Sequence, residues 1–305
     1  MDATARDVHN RKMTRTPIVA AVAAFFVFAA GAAQAQDAKR GEYIFAAAGC
    51  AGCHTDTANN GQLLAGGRAL KTPFGNFYGP NITAHPEAGI GKWSDADFIA
   101  ALRQGRRPDG AHYFPVFPYT SFTKMTDADM RDLKAYIFSL PVSDRRNKPH
   151  DIGFPFNLRP LQFGWKLLFF TPGAFKPDPA KSAEVNRGAY LTQALGHCAE
   201  CHTPRNQLGG LRTDMMYAGD LNHAGQGTKV PNITPHPTTG IGSWTPGVYE
   251  DLLATGLTQD GDSVGGDMGE VVANSTSKLT PQDRAAMIAY LRQLPPIDHR
   301  VRGGN

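Results

Sequence analysis

The sequence predicts a mainly α chain made of two tandem copies of one small helical module, 36–141 and 185–297, joined by an apolar, Pro-rich linker at 142–184. Three observations predict it. The pentapeptide Cys-x-x-Cys-His occurs twice, as Cys50-Ala51-Gly52-Cys53-His54 and as Cys198-Ala199-Glu200-Cys201-His202, 148 positions apart. Shorter motifs recur around both copies in the same order. Each copy also closes on an apolar helix with a Thr at its N-cap, and a length of 305 residues suits about two domains.

The pentapeptide is the attachment signature of a c-type haem. Two thiols three positions apart lie on one helical turn, from which both reach the vinyl groups of a single porphyrin. The following His then lies beneath the iron and supplies a nitrogen ligand. Zinc knuckles and disulfides are the competing uses. Zinc asks for four ligands in a tetrahedron, and a His directly after a Cys points away from the metal that Cys binds. A redox Cys-x-x-Cys would sit beside a strand–helix pattern that is missing here. The two copies use every cysteine in the chain. The expected cofactors are therefore two covalently bound haem c, with Cys50, Cys53, Cys198 and Cys201 as thioether sites and His54 and His202 as iron ligands.

A formal charge of only +4 points away from nucleic acid as a partner. The 33 glycines and 22 prolines suit a loop-rich fold whose core is partly cofactor. Residues 1–35 read as a signal peptide. Arg6, Arg11, Lys12 and Arg15 form a basic start, 17–33 is apolar, and Ala33-Gln34-Ala35 is an A-x-A cleavage site. The apolar run is short for a spanning helix of about 20 residues, so cleavage and a periplasmic location are expected, with an uncleaved membrane anchor as the alternative. Cleavage takes away four basic and two acidic residues and leaves +2.

In the first module, 39–48 reads as a helix leading into the haem motif, with Tyr43, Ile44 and Phe45 apolar. Residues 55–79 read as glycine-rich loop, which lets backbone approach a flat macrocycle closely. Pro80-Asn81-Ile82-Thr83 and Gly89-Ile90-Gly91-Lys92-Trp93 follow. Ser94 caps a helix that Gly105 ends, and Thr126 caps the terminal helix, which stops before Pro141. The linker carries Phe154, Phe156, Leu158, Leu161, Phe163, Trp165, Leu167, Leu168, Phe169 and Phe170, which are costly to expose together. It is expected to pack between the modules, the other reading being a dock for a partner subunit or a membrane surface.

The second module repeats the first. Arg187-Gly188-Ala189-Tyr190 matches Arg40-Gly41-Glu42-Tyr43. Pro231-Asn232-Ile233-Thr234 and Gly240-Ile241-Gly242-Ser243-Trp244 match their counterparts at an offset of 151. Thr280 caps the last helix with Pro281 at its first position. Trp93 and Trp244 recur in register, and each suits either a propionate hydrogen bond or plain packing.

The sixth iron ligand decides between electron transfer and small-molecule chemistry. In the second module Met268, in Gly265-Gly266-Asp267-Met268-Gly269-Glu270, is the expected ligand. Met215 and Met216 are less well placed, and Met287 reads as core. The matching stretch of the first module, Tyr113-Phe114-Pro115-Val116-Phe117-Pro118-Tyr119, has no Met. Met125 is the candidate there. It occupies the position of Leu279, so a packing role competes with ligation, and His112 or an open site are the remaining options.

These motifs resemble the dihaem and trihaem cytochrome c subunits of bacterial periplasmic or membrane-bound dehydrogenases acting on alcohols, gluconate and related sugars, and of those serving molybdenum hydroxylases. The order of elements resembles the class I cytochrome c fold, so the expected fold is mainly α, two tandem class I cytochrome c-like domains. The likeness rests on the Cys-His motifs with their Asn-Ile-Thr turns, Gly-Ile-Gly-x-Trp, Pro118-Tyr119-Thr120-Ser121-Phe122, and Gly-x-Met-x-Glu-Val-Val at 266–272. Many relatives carry Pro-x-Met-Pro-Tyr where this chain has Phe117, and the alcohol dehydrogenase subunit has three haem motifs where this chain has two. The resemblance implies transfer of electrons from a dehydrogenase to a quinone, another cytochrome or an oxidase, with peripheral membrane association compatible. Two other functions compete: a dihaem oxidoreductase of thiosulfate dehydrogenase or peroxidase type with catalysis at the first haem, and a bound haem subunit of an oxidase.

Overall fold

The computed structural model describes Met1 and residues 36–301 apart from 224 and 226. The expected signal peptide, 1–35, lies outside the described residues. The first module begins with α1 (Ala38–Ala47), capped by the Asp37 carboxylate, which accepts from the amides of Lys39 and Arg40. The haem motif forms a short helix, α2 (Cys50–His54). Where glycine-rich loop is expected, the chain also folds a small hairpin, β1 (Ala69–Thr72) and β2 (Gly75–Tyr78), with Thr72 paired to Gly75 across the turn. Next come α3 (Asp95–Gln104), α4 (Tyr119–Phe122) and α5 (Asp127–Ser139). Ser94 and Asp97 make a reciprocal capping box on α3, and Gly105 ends that helix in the left-handed region.

Linker residues add β3 (Asp151–Ile152) to the first hairpin and form α6 (Leu161–Phe169). The second module then repeats the pattern. Helix α7 (Ala183–Tyr190) runs through a π-type turn, Leu191–Leu195, toward the haem motif, which includes α8 (Ala199–His202). A hairpin follows, β4 (Asp220–His223) and β5 (Thr228–Val230), then α9 (Pro246–Thr255), α10 (Gly266–Asn274) and α11 (Pro281–Leu291). The chain is mainly α, and its short hairpins sit beside the haem motifs.

In each module the first helix crosses the last, α1 on α5 and α7 on α11. Glycine makes both crossings close. A Cβ on Gly41 would lie 1.9 Å from the Asp132 carbonyl oxygen, and one on Gly188 would lie 1.8 Å from that of Ala286. The repeated Arg-Gly-x-Tyr motif is thereby explained residue by residue. The Arg binds the partner helix: Arg40 holds Asp129 and Asp132, and Arg187 holds Asp283 with a two-pronged contact. The Gly admits that helix. The Tyr reaches into the other module. Tyr43 donates to Asp283 at 2.6 Å and accepts from the Thr280 amide at 3.1 Å. Tyr190 likewise donates to Asp129 and accepts from the Thr126 amide at 3.1 Å.

These reciprocal bonds lie over a shared core. Ile44, Phe45, Met130, Leu133 and Ile137 of the first module pack in one buried cluster with Tyr190, Leu191, Ala194, Leu195 and Met287 of the second. A smaller cluster around Ile241, Tyr249 and Ile288 belongs to the second module alone.

The linker only partly meets the expectation that it packs between the modules. Phe170 lies edge-on to Tyr119 at 5.0 Å, Phe175 meets Tyr190 at 5.6 Å, and Phe169 covers Gly210. Helix α6, in contrast, buries Gln162 and Lys166 and exposes Phe163, Leu167 and Leu168. The reason is the Lys166 ammonium, which donates to the carbonyls of Gln104 and Gly105 at 2.7 and 2.8 Å. Those are carbonyls at the C-terminal end of α3, which a cation satisfies well.

Candidate haem centres

Both haem motifs place their histidine in the same way. His54 Nδ1 lies 2.8 Å from the Pro80 carbonyl oxygen, and His202 Nδ1 lies 2.8 Å from that of Pro231. An imidazole that donates from Nδ1 is fixed as one tautomer and keeps its lone pair on Nε2, the nitrogen free to bind a metal. Burial lowers the pKa of His54, against the opposing pull of the Pro80 carbonyl, and brings that of His202 down to about 4. Both rings are therefore neutral and ready to ligate at neutral pH.

The repeated Pro-Asn-Ile-Thr turn carries this arrangement. Asn81 Oδ1 accepts from the Thr83 amide and hydroxyl at 2.9 and 2.7 Å, and its amide group donates to the carbonyls of Ser143 and Arg145. Asn232 does the same with Thr234 and with the carbonyls of Ile297 and His299. Each buried Asn thus ties the chain leaving the terminal helix to the turn whose proline carbonyl orients the histidine. The recurrence of this motif was the sequence signal. Its reason is a hydrogen bond to a carbonyl, which no residue type announces.

The thiols do not suit redox chemistry. Burial pushes Cys50 and Cys201 up to about 12 and Cys198 up to about 11, whereas a redox-active thiol has a lowered value. None of the four cysteines is in a disulfide. Close backbone approach surrounds the first motif, since a Cβ on Gly79 would lie 1.9 Å from the Cys53 carbonyl oxygen. Among the described residues no cluster of three or more His, Cys, Asp or Glu could hold a metal ion by itself. The donor set accordingly fits a porphyrin-held iron with one protein imidazole.

The modules also meet at their haem motifs. Glu200, between the two cysteines of the second motif, accepts from Thr120 Oγ1 at 2.6 Å, Ser121 Oγ at 3.1 Å and Arg205 at 2.5 Å. Burial opposes its charge, but Arg205 and Thr120 outweigh it and hold the carboxyl below its usual range. In the reverse direction α10 packs on α2, and Glu270 pairs with Arg68 of the first module. The stretch before each terminal helix therefore lies against the other module's haem helix.

That stretch holds the expected sixth ligands. Met268 is half-buried in the first turn of α10. Met125 is fully buried in the shared core, which also holds its repeat counterpart Leu279. Phe117 stands at the position of Met268 and packs on Tyr113 and Phe122. His112 is engaged elsewhere, with Nδ1 3.0 Å from the Lys166 ammonium and its ring 5.7 Å from Phe163. Met216 sulfur lies 3.9 Å from the Thr203 hydroxyl, and Met287 is core. Trp93 and Trp244 are half-buried against the two apolar clusters. Arg159 donates to the His112 carbonyl at 3.1 Å and stacks on Phe114.

A family model for cytochrome c matches residues 38–141 and again 185–295. The chain belongs to the cytochrome c family. This cytochrome is 46% identical to a "Diheme cytochrome c-type" protein of Cereibacter sphaeroides, covering 86% of this chain and 87% of that one. It is 39% identical to the "Fructose dehydrogenase cytochrome subunit" of Gluconobacter japonicus, over 84% of this chain and 52% of the relative. It is 37% identical to the cytochrome c subunit of the quinone-type alcohol dehydrogenase of Gluconobacter oxydans, over 97% of this chain and 64% of the relative. The cytochrome thus spans between half and two thirds of these last two proteins. Two cytochrome c regions and a dihaem relative together establish two covalently bound haem c as its cofactors.

Proposed function

We propose that this cytochrome takes electrons from a dehydrogenase partner and passes them to a quinone, another cytochrome or an oxidase in the periplasm. The observation that carries the reading is the matched pair of anchored imidazoles, His54 on Pro80 and His202 on Pro231, held in modules that share one core. A rigid double centre suits passage of electrons from one iron to the other. Relatives named as cytochrome subunits of dehydrogenases support the choice of donor. Export follows from the signal-peptide pattern in 1–35 and from the need to attach haem outside the cytoplasm.

In this reading Cys50 and Cys53 would hold the first haem and Cys198 and Cys201 the second. His54 and His202 would bind the irons, their Nδ1 being taken by the Pro80 and Pro231 carbonyls. Bound haem c supplies a one-electron iron centre. The Pro80 and Pro231 carbonyls keep each ring in its ligating tautomer, and the Arg205–Glu200–Thr120 contact fixes the second haem helix on the first module. Met268 would supply the second iron's remaining protein ligand, and Met125 the first's.

Two variants test the ligand set. Met268→Ala should remove the sulfur-to-iron charge-transfer band of the second haem, lower its potential, and let azide or cyanide bind, because a thioether ligand raises the potential and closes the site. An unchanged spectrum and potential would assign the ligand to another residue, with Met216 next in line. Met125→Leu keeps the apolar bulk that Leu279 supplies in the other module and removes only the sulfur. Loss of the first haem's sulfur band is expected. Retention of both potentials, with no ligand binding at the first haem, would make Met125 purely structural. Rapid ligand binding to the unmodified protein's first haem would favour catalysis there over electron transfer.

A further inference from the structure

The two haem motifs open on the same turn. The Gly52 amide donates to the Gly49 carbonyl at 3.0 Å, and the Glu200 amide donates to the His197 carbonyl at 2.9 Å. Both turns place a left-handed residue directly before the first cysteine, Gly49 at φ 61° and His197 at φ 39°. Glycine adopts that backbone freely, and a residue with a Cβ does not. Gly49 shows that the turn asks for no side chain. His197 holds an imidazole there in spite of local strain, which persists only where the surroundings over-determine it.

The ring reaches into the other module. It lies edge-on to Phe122 of α4, with centroids 5.5 Å apart. Burial lowers its pKa, against the opposing pulls of the Glu200 carboxylate and of the Ala48 backbone, so the ring is neutral at neutral pH. A neutral imidazole keeps one N–H, and the Ala48 carbonyl draws it. Ala48 stands two residues before Cys50. Ala47, Ala48 and Phe122 are buried in the shared core, and Cys50 and Cys198 both pack against that one cluster. Neighbouring bonds hold the arrangement. Glu200 accepts from Thr120 and Ser121 on the same short helix as Phe122, and Ser275 Oγ donates to the Ala47 carbonyl at 3.1 Å. The reverse contact is not made, since a Cβ on Gly49 would meet nothing within 4 Å.

Cys198, His197, Ala48, Gly49 and Cys50 thus form one line between the two haem-attachment sites, and its single non-covalent step is the ring on Ala48. Electrons tunnel far more readily through bonded and closely packed atoms than through open space. We propose that the His197 imidazole is the positioning residue that bridges Cys198 to Cys50 for electron passage between the two centres. One electron leaves a reduced iron and reduces an oxidised one. The ring is neither oxidised nor protonated, and no bond forms or breaks. This role presupposes the electron-transfer reading and gives it a route.

Laser-flash reduction of a fraction of the haems tests it on the mature holoprotein, wild type against His197→Gly and His197→Phe. In wild type a concentration-independent phase should follow the initial reduction, as the electron redistributes between the two haems. His197→Gly copies the residue of the first module's turn and removes the ring. It should keep both haems and both midpoint potentials, while that phase slows roughly tenfold or more, the scale on which small misplacements change rates. His197→Phe keeps a ring against Phe122 but has no N–H for Ala48, so the phase should slow there too, by less. An unchanged phase in both variants would overturn the proposal. So would a slowing that shifted midpoints fully account for. A lowered denaturation midpoint with an unchanged phase would overturn it as well and make His197 a packing residue. A wild type with no such phase would instead fail the electron-transfer reading itself, and the bridge with it.

Discussion

The His202→Ala and Cys198→Ala proteins should lose the second haem's attachment and, with it, stability in both modules. Read from sequence alone, loss of the second haem unfolds the second module and leaves the first able to fold. The shared core changes that expectation. Tyr190, Leu191, Ala194 and Leu195 lead directly into the second haem motif and are buried with Ile44, Phe45 and Leu133 of the first module. Displacing one such large side chain costs about 2–5 kcal/mol, out of the roughly 5–15 kcal/mol that holds a domain together. The bonds from Tyr190 to Asp129 and from Glu200 to Thr120 would go as well. Thermal melting followed at the haem absorbance should show the first haem's environment collapsing at a markedly lower temperature than in wild type. A first haem that melts at the wild-type temperature in these variants would show the modules to be independent.

Gly188→Val and Gly41→Val should be comparably severe. Each new Cβ would strike a backbone carbonyl at 1.8 Å on Ala286 or 1.9 Å on Asp132, so no side chain can swing away to make room. Overpacking costs about 1–3 kcal/mol, and more when backbone must move, which places these variants at or above the upper end. Parting α7 from α11 also pulls Arg187 from Asp283, and through Asp283 it loosens Tyr43 of the first module. Gly164→Ala in α6 is the control. Its Cβ meets nothing within 4 Å, so it should be neutral or slightly stabilising. Chemical denaturation midpoints would measure all three, and equal midpoints for Gly188→Val and Gly164→Ala would contradict the tight-crossing account.

What was legible in the sequence was local or repeated. Cys-x-x-Cys-His names its chemistry in five residues, and the caps Ser94, Thr126 and Thr280 act within one helical turn. Repetition pointed to Arg-Gly-x-Tyr and Pro-Asn-Ile-Thr without revealing their roles, because their partners lie far away in the chain. Tyr43 read as part of an apolar helix face, yet its hydroxyl serves the other module's terminal helix. The hairpin at 69–78 was hidden among glycines, since Ala-Leu-Lys-Thr and Gly-Asn-Phe-Tyr alternate too weakly to read as strands. The orientation of α6 was the least readable feature. Apolar residues usually face inward, yet the carbonyls of Gln104 and Gly105 at the end of α3 draw Lys166 inside and turn the leucines out.

Two electron-carrying haems with unlike distal sides are expected, because Met268 has Phe117 as its counterpart in the other module. A spectroelectrochemical titration of the mature holoprotein would resolve the two. The expected result is two one-electron transitions whose midpoints differ by more than about 60 mV, the separation that gives a tenfold bias in a one-electron equilibrium. A single transition accounting for both haems, or a first haem that takes up no electron across the range in which the second titrates, would contradict it.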